Sequence, residues 1–370
     1  MGRGAWGLPR HARTWRASPL RRLTGVAEAW RASWPNRLSP TTASLYDGIL
    51  RTHLIPTFGT TPIGRIDHGA VQRYVNALTA GTDGTTSNDE QPLAPGTVRN
   101  IFACLRNALA AAVRWEWLKA NPCTNIDLPR PRREEMLMLT PEEVRALAEK
   151  IDPHYRTLIF TAAYSGLRAG ELLALRRQDI DPLKGTLTVR RALKDIDGVL
   201  EIGEVKTPAS RRTVTLPASV TTLLREHLAK TQEQGGPASA DADALVFSSK
   251  MGKPLRHRLF YRRHFKPAVA GYSKPDGTVV PGALPAAKHG LRFHDLRHTA
   301  ASLAIHAGAH PLLVSKMLGH SSVQITLDRY SHLMPNVSEA LAEKLDALFV
   351  AAEQPTKSQT NVVELAKSTH

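Results

Sequence analysis

Cysteine is almost missing from this chain: Cys104 and Cys123 are the only two in 370 residues. That excludes a disulfide framework and a Cys-rich zinc module, and it fits a reducing cytosol. No apolar run approaches the roughly 18 residues of a membrane span. The leading stretch MGRGAWGLPRHARTWRASPLRR lacks the apolar centre of a secretory signal. Internal repeats are absent as well. Acidic residues are in short supply, 33 Asp plus Glu against 49 Lys plus Arg, for a net charge of +16. An excess of that size on a globular chain points to a polyanionic partner, with nucleic acid ahead of a membrane surface. What remains is core-forming material, 42% hydrophobic and 22% charged, enough for two or three domains. The expectation is a soluble cytoplasmic protein.

The excess charge is uneven. Met1 to Arg37 holds eight Arg and one acid, Glu28, so seven of the sixteen surplus charges lie in the first tenth of the chain. Pro9 and Pro19 interrupt any amphipathic helix there, which argues against a transit peptide. Residues 1–22 therefore read as a basic, disordered arm, either lying on phosphates or without a role. Residues 23–122 read as all helical. Ser39-Pro40 caps a helix carrying Leu45, Ile49 and Leu50, and Asp67 starts one with Val71, Tyr74, Val75 and Leu78 on one face. After a polar loop from Ala80 to Pro95, a longer helix carries the stripe Val98, Ile101, Phe102, Leu105, Leu109 and Val113, and Asn121-Pro122 is expected to end it. Residues 123–138, rich in Pro and Arg, form a linker.

A second domain is expected over 139–350, opening on the capping box Thr140-Pro141-Glu142-Glu143. The β material is short. Gly185–Arg191 alternates, Glu201–Lys206 and Arg212–Leu216 flank Thr207–Ser210 like a hairpin, and Leu245–Phe247 suits a further strand. Helical pattern resumes at Leu255, broken by a Gly- and Pro-rich loop from Gly271 to Gly290, and residues 351–370 read as a disordered tail.

Four clusters carry chemistry. Ser165-Gly166-Leu167-Arg168-Ala169-Gly170-Glu171-Leu172 sets an Arg just past a Gly turn at a helix start, where its planar fork and the helix amides suit a phosphate. Val205-Lys206-Thr207-Pro208-Ala209-Ser210-Arg211-Arg212 carries a Lys on a turn. Phe293-His294-Asp295-Leu296-Arg297-His298-Thr299-Ala300 groups two His and an Arg within one helical turn. Leu318-Gly319-His320-Ser321-Ser322 is followed ten residues after its His by Tyr330. Each has an ordinary reading alone: a surface Arg, a solvated turn Lys, a satisfied His pair, a C-cap Gly, a core aromatic.

Together, in this order and spacing, the four boxes resemble the tyrosine recombinases, the family of phage integrases and chromosome-dimer resolvases, over Thr140 to roughly Phe349. The resemblance implies a mainly α fold with a small antiparallel β-sheet (α+β), a helical core-binding (SAM-like) domain ahead of a catalytic domain. It implies a catalytic set of Arg168, Lys206, His294, Arg297, His320 and Tyr330, all present. In that set Tyr330 attacks the scissile phosphate to give a 3′-phosphotyrosyl intermediate. Arg168 and Arg297 neutralise the non-bridging oxygens, and His320 donates a further hydrogen bond. His294 handles the Tyr330 proton, and Lys206 protonates the 5′-oxygen as general acid. Lys184 and Lys194, in the same β region, are alternatives for that last role. No cofactor or metal is implied.

The implied partners are double-stranded DNA at attachment sites and three further copies of the chain, exchanging strands through a Holliday junction. That leaves room for an accessory DNA-bending or directionality factor, without a membrane and in association with the nucleoid. A terminal helix with Val337, Leu341, Leu345 and Leu348 would dock on a neighbouring protomer or pack on its own domain. About twenty residues precede the helices, too few for the arm-binding domain of many integrases.

Rival readings differ in chemistry. A metal-dependent hydrolase would use His294 and His298 at i and i+4 with His320 or His332, but a zinc helix needs Glu after the first His, where Asp295 stands, and Arg297 adds a cation beside the metal. A catalytically inactive DNA-binding relic would keep the fold without the strand transfer. A type IB topoisomerase would share the tyrosine chemistry without specific sites.

Overall fold

The computed structural model describes residues 21–82, 91–131, 135–205, 210–235, 241–334, 342–343 and 345–350. The chain divides into two compact units, Met1–Met136 with Leu193–Gly203, and Leu137–Ala192 with Glu204–His370.

The first unit is built on helices α1 (Leu23–Ala32), α2 (Pro40–Ile49), α3 (Ile55–Phe58), α4 (His68–Ala80) and α5 (Pro95–Arg114). Their limits follow from capping. Ser39 and Asp67 accept the orphan amides of Thr42 and Ala70, and Gly81, at φ 77°, ends α4 in the left-handed conformation. The expected faces are buried: Val71, Tyr74, Val75 and Leu78 on α4, and Val98, Ile101, Phe102, Leu105 and Leu109 on α5. Leu45 is instead about half exposed, and Val113 is half-buried. Trp30 packs edge-on against Trp34 (centroids 5.2 Å apart) and lies 5.4 Å from Tyr46, closing one end of the core. α5 stops at Arg114, seven residues short of Asn121, because Glu116 takes φ 60° and Trp117 turns back to donate to the Ala112 carbonyl.

The second unit opens on α6 (Pro141–Lys150), where Thr140 and Glu143 exchange the two hydrogen bonds of a capping box. α7 (Arg156–Ser165) packs on α12 (Asp295–His306), burying Leu158, Ile159 and Ala162 with Leu296, Ala300 and Ile305. Each such Leu or Ile side chain contributes roughly 1.5–3 kcal/mol by leaving water. Between them in sequence come the short α8 (Ala169–Leu172), strands β1 (Ile180–Asp181), β2 (Thr186–Val189) and β5 (Arg212–Thr215), then α9 (Ala218–Gly235), α10 (His257–Phe260), α11 (Lys266–Ala270), β6 (Gly271–Ser273) and β7 (Val279–Pro281), whereas β3 (Arg191–Ile196) and β4 (Val199–Glu204) fall mostly in the first unit. Helices α13 (Pro311–Leu318) and α14 (Val323–Tyr330) follow α12.

The strand pairing corrects three expectations. β4 and β5 are not a hairpin. β4 pairs with β3 across Asp197-Gly198, both at positive φ (50° and 84°), while β5 joins an antiparallel sheet in the order β1-β2-β5 with Val189 opposite Arg212. A two-residue turn with both φ positive matches the twist of a hairpin, so the Asp-Gly pair dictates the nearer partner. Leu245–Phe247 forms only an isolated bridge, Leu245 to Arg176. The stretch from Gly271 to Gly290 holds the β6–β7 hairpin, closed where Gly271, at φ 78°, lets its backbone approach the Val280 carbonyl.

Candidate active site

All positions below lie in the second unit. α7 ends at Gly166, φ 66°, where an added Cβ would stand 2.7 Å from Leu318 Cδ2. The chain turns at once into α8, with Arg168 at its N-cap. The Arg168 amide donates to Glu171 Oε2 (2.9 Å) and its Nη1 to Oε1 (2.8 Å), while Nη2 reaches the Gly319 carbonyl at 3.4 Å. The guanidinium is partly exposed, as a phosphate ligand requires.

Arg297, on the first turn of α12, is 4% exposed and donates from Nη1 to the Gly166 carbonyl (2.5 Å). Burial, then the nearby guanidiniums of Arg168 and Arg212, lower its pKa to about 9. Three cations thus share one patch, and its buried carboxylate is Glu171. Burial pushes that carboxyl up, but hydrogen bonds and charge from Arg212 and then Arg168 outweigh it and hold Glu171 below the usual glutamate value. Such a patch is an anion site.

α13 ends at Gly319 (φ 66°), delivering His320 beside it. His320 Nδ1 lies 2.8 Å from the Thr326 hydroxyl, which is fully buried. If that hydroxyl donates, Nε2 carries the proton and is the nitrogen offered to a phosphate oxygen. Burial and the positive charge of Arg297 lower the His320 pKa to about 4.

Tyr330 ends α14 with no solvent exposure, its hydroxyl 2.7 Å from His298 Nδ1. Burial raises the Tyr330 pKa, only partly opposed by Arg297 and Arg329. Burial and then His294 lower that of His298 to about 4, so this imidazole is neutral at pH 7 and able to accept the tyrosine proton. His294 caps α12, its ring 5.5 Å from that of His298, and its own pKa is lowered by burial and Arg297. The imidazole in contact with Tyr330 is His298, and His294, expected to handle the Tyr330 proton, lies beside it. Asp295, at the position where a zinc helix needs its Glu, is buried against Arg292.

Lys206 lies outside the described residues. Of the alternatives, Lys184 is held by Asp181 at 3.4 Å. Sequence reasoning gave no role to Glu171, Arg212 or Thr326, although the first two were spelled in the motifs S-G-L-R-x-x-E-L and K-T-P-x-S-x-R. No described helix is long and apolar enough to cross a membrane.

The pattern of the phage integrase family matches residues 137–336, and that of the phage integrase N-terminal SAM-like domain matches residues 23–79. The integrase of Mycobacterium phage D29 is 30% identical over 310 residues, 83% of this chain and 74% of the phage protein. The Tn1549 transposon integrase, solved in complex with a circular intermediate DNA, has the same fold with a TM-score of 0.68 at 21% identity, covering 88% of this chain and 99% of the other. A lambda integrase tetramer bound to a Holliday junction gives 0.55 at 18%, covering 89% and 81%. The chain belongs to the phage integrase family, with the expected α+β fold, and is a DNA strand-transferring enzyme of the tyrosine recombinase class.

Proposed function

We propose that the chain carries out site-specific recombination or integration of double-stranded DNA with Tyr330 as nucleophile. The observation that carries this reading is the convergence of Arg168 and Arg297 beside His320, with Tyr330 in hydrogen-bond contact with a neutral imidazole. The two guanidiniums neutralise the non-bridging oxygens, and His320 Nε2 adds a donor as charge builds up on them. Tyr330 Oη bonds to phosphorus as the bond to the 5′-oxygen breaks. The tyrosine proton passes to His298, with His294 beside it, and Lys206 supplies the proton that the departing 5′-oxygen takes up. The linkage left is a 3′-phosphotyrosine. Its bond energy is retained, so a different 5′-hydroxyl can reverse the step without ATP.

The helical unit serves as the core-binding domain, residues 1–22 as a basic arm on phosphates and 123–138 as the linker to a catalytic domain over 139–350. Four protomers act on two attachment sites through a Holliday junction, in the cytoplasm on nucleoid DNA, with an accessory bending or directionality factor as a further partner. Leu345 and Leu348 of the terminal helix are exposed and available to a neighbouring protomer, whereas Val337 and Leu341 lie outside the described residues, as does the tail over 351–370.

DNA flanking the chain's own gene, or random genomic fragments, incubated with the protein in a chelator and then denatured in detergent, tests the reading. We expect a covalent protein–DNA species that vanishes with Tyr330→Phe. Salt-sensitive binding without that species would instead make the chain a DNA-binding relic, and activity abolished by the chelator would revive the metal-dependent hydrolase. Relaxation of supercoils without site dependence would make it a topoisomerase.

A further inference from the structure

Arg212 opens β5 and is almost fully buried, its side chain 7% exposed. Its guanidinium is committed on all three nitrogens. Nη2 donates to Glu171 Oε2 (2.9 Å), Nε to the Met317 carbonyl (2.7 Å) and Nη1 to the Ser210 carbonyl (3.2 Å). Each acceptor leads to a different part of the site. Glu171 holds Arg168 through the latter's amide and Nη1. Met317 lies in the last turn of α13, where carbonyls lack helical partners, three residues before His320. Ser210 lies four residues after Lys206.

We propose that Arg212 is a positioning residue for strand transfer: one buried fork that fixes Arg168, the His320 turn and Ser210 relative to one another. The proposal rests on the recombinase reading above and adds to it a residue that does not touch the substrate. With its three nitrogens engaged and its side chain buried, Arg212 acts on DNA through Glu171 and Arg168. The turn is shaped to receive it. A Cβ on Gly319 would stand 3.0–3.1 Å from Arg212 Nη1, Cδ and Cζ, so the side chain lies across the turn where only hydrogen occupies the glycine's Cα. A Lys at 212 would keep the charge but could not span three acceptors in fixed directions, because an ammonium is a point charge on a flexible stem.

A buried Arg–Glu pair also holds a fold together, so the test must separate positioning from support. Charge on the non-bridging oxygens is what Arg168 neutralises, and a methylphosphonate at the scissile position removes that charge. Arg212→Lys is compared with wild type on the duplex that traps the wild-type protein, carrying either a phosphodiester or a methylphosphonate. We expect covalent complex formation to fall about a hundredfold on the phosphodiester, the loss typical of a group displaced by about an ångström. The expected fall on the methylphosphonate is less than about tenfold, at unchanged DNA affinity. Equal losses on both substrates, or no loss on either, overturn the proposal. Gly319→Ala, which pushes the guanidinium aside while leaving it present, is expected to show the same split and decides the matter if Arg212→Lys does not fold. Wild-type protein that forms no adduct on the phosphodiester would overturn the recombinase reading itself; wild-type cleavage with equal variant losses overturns only the role of Arg212.

Discussion

Tyr330 has no solvent exposure, and its hydroxyl is held by His298. In this arrangement the hydroxyl is shielded, so the proposed attack of Tyr330 on a phosphodiester requires DNA to enter the site or the end of α14 to shift. The same burial makes the site sensitive to acid. His298 and His320 have pKa values lowered to about 4 from an ordinary 6.5. Between those limits the unfolded chain binds more protons than the folded one, so folding stability is full above about pH 6.5 and is lost as pH falls toward 4. For His298, 6% exposed, the effect is at most on the order of 3 kcal/mol. Urea unfolding at pH 7.5 and pH 5 should therefore show a smaller acid loss for His298→Gln than for wild type; an equal loss contradicts the assignment. At this scale the sequence was legible in what it grouped: Arg168 bonds to the Gly319 carbonyl beside His320, and Arg297 to the Gly166 carbonyl two residues before Arg168. It was not legible where the role depends on which neighbour a side chain meets. His294 and His298 sit four residues apart with the same chemistry, and that the Tyr330 hydroxyl meets His298 depends on contacts far apart in sequence.

Element boundaries followed the caps. Ser39, Asp67, Thr140 and Gly166 each mark the expected end of a helix, because each satisfies orphan backbone groups or a left-handed turn by local means. Strand partners were harder to read. β5 could take β4 or β2 on alternation alone, and the Asp197-Gly198 turn, a local signal passed over, gives β4 to β3. Two stability predictions belong here. Asp67→Ala removes the acceptor for the Ala70 amide and should cost about 1 kcal/mol. Gly166→Ala adds the left-handed penalty of roughly 1–2 kcal/mol and a clash with Leu318, so it should lower the melting temperature further than Asp67→Ala and also reduce covalent trapping, since the Gly166 carbonyl holds Arg297. Intact trapping in Gly166→Ala would show that the turn does not position Arg297.

Over the whole molecule the charge balance of +16 is the feature most directly tied to DNA. Binding should weaken linearly in log–log form as salt rises, with a slope set by the number of phosphates contacted. Residues 1–20 carry four arginines, Arg3, Arg10, Arg13 and Arg16. If all four lie on phosphates, their removal lowers the slope by roughly 3–4. An unchanged slope would leave that arm without a role in binding. Composition gave the polyanionic partner, and the four boxes gave the family, because their order survives in a linear string. The division that groups Leu193–Gly203 with the helical unit is set by contacts far apart in sequence and was not legible there.

The chemistry of the trapped linkage tests strand transfer by Tyr330 most directly. Covalent complex is digested with protease, and the peptide bearing nucleotide is sequenced while the DNA ends at the nick are labelled. Strand transfer by Tyr330 predicts nucleotide on that residue, protein on the 3′ phosphate and a free 5′-hydroxyl that accepts label from a kinase. Nucleotide on any other residue, or protein joined to the 5′ end, would contradict it.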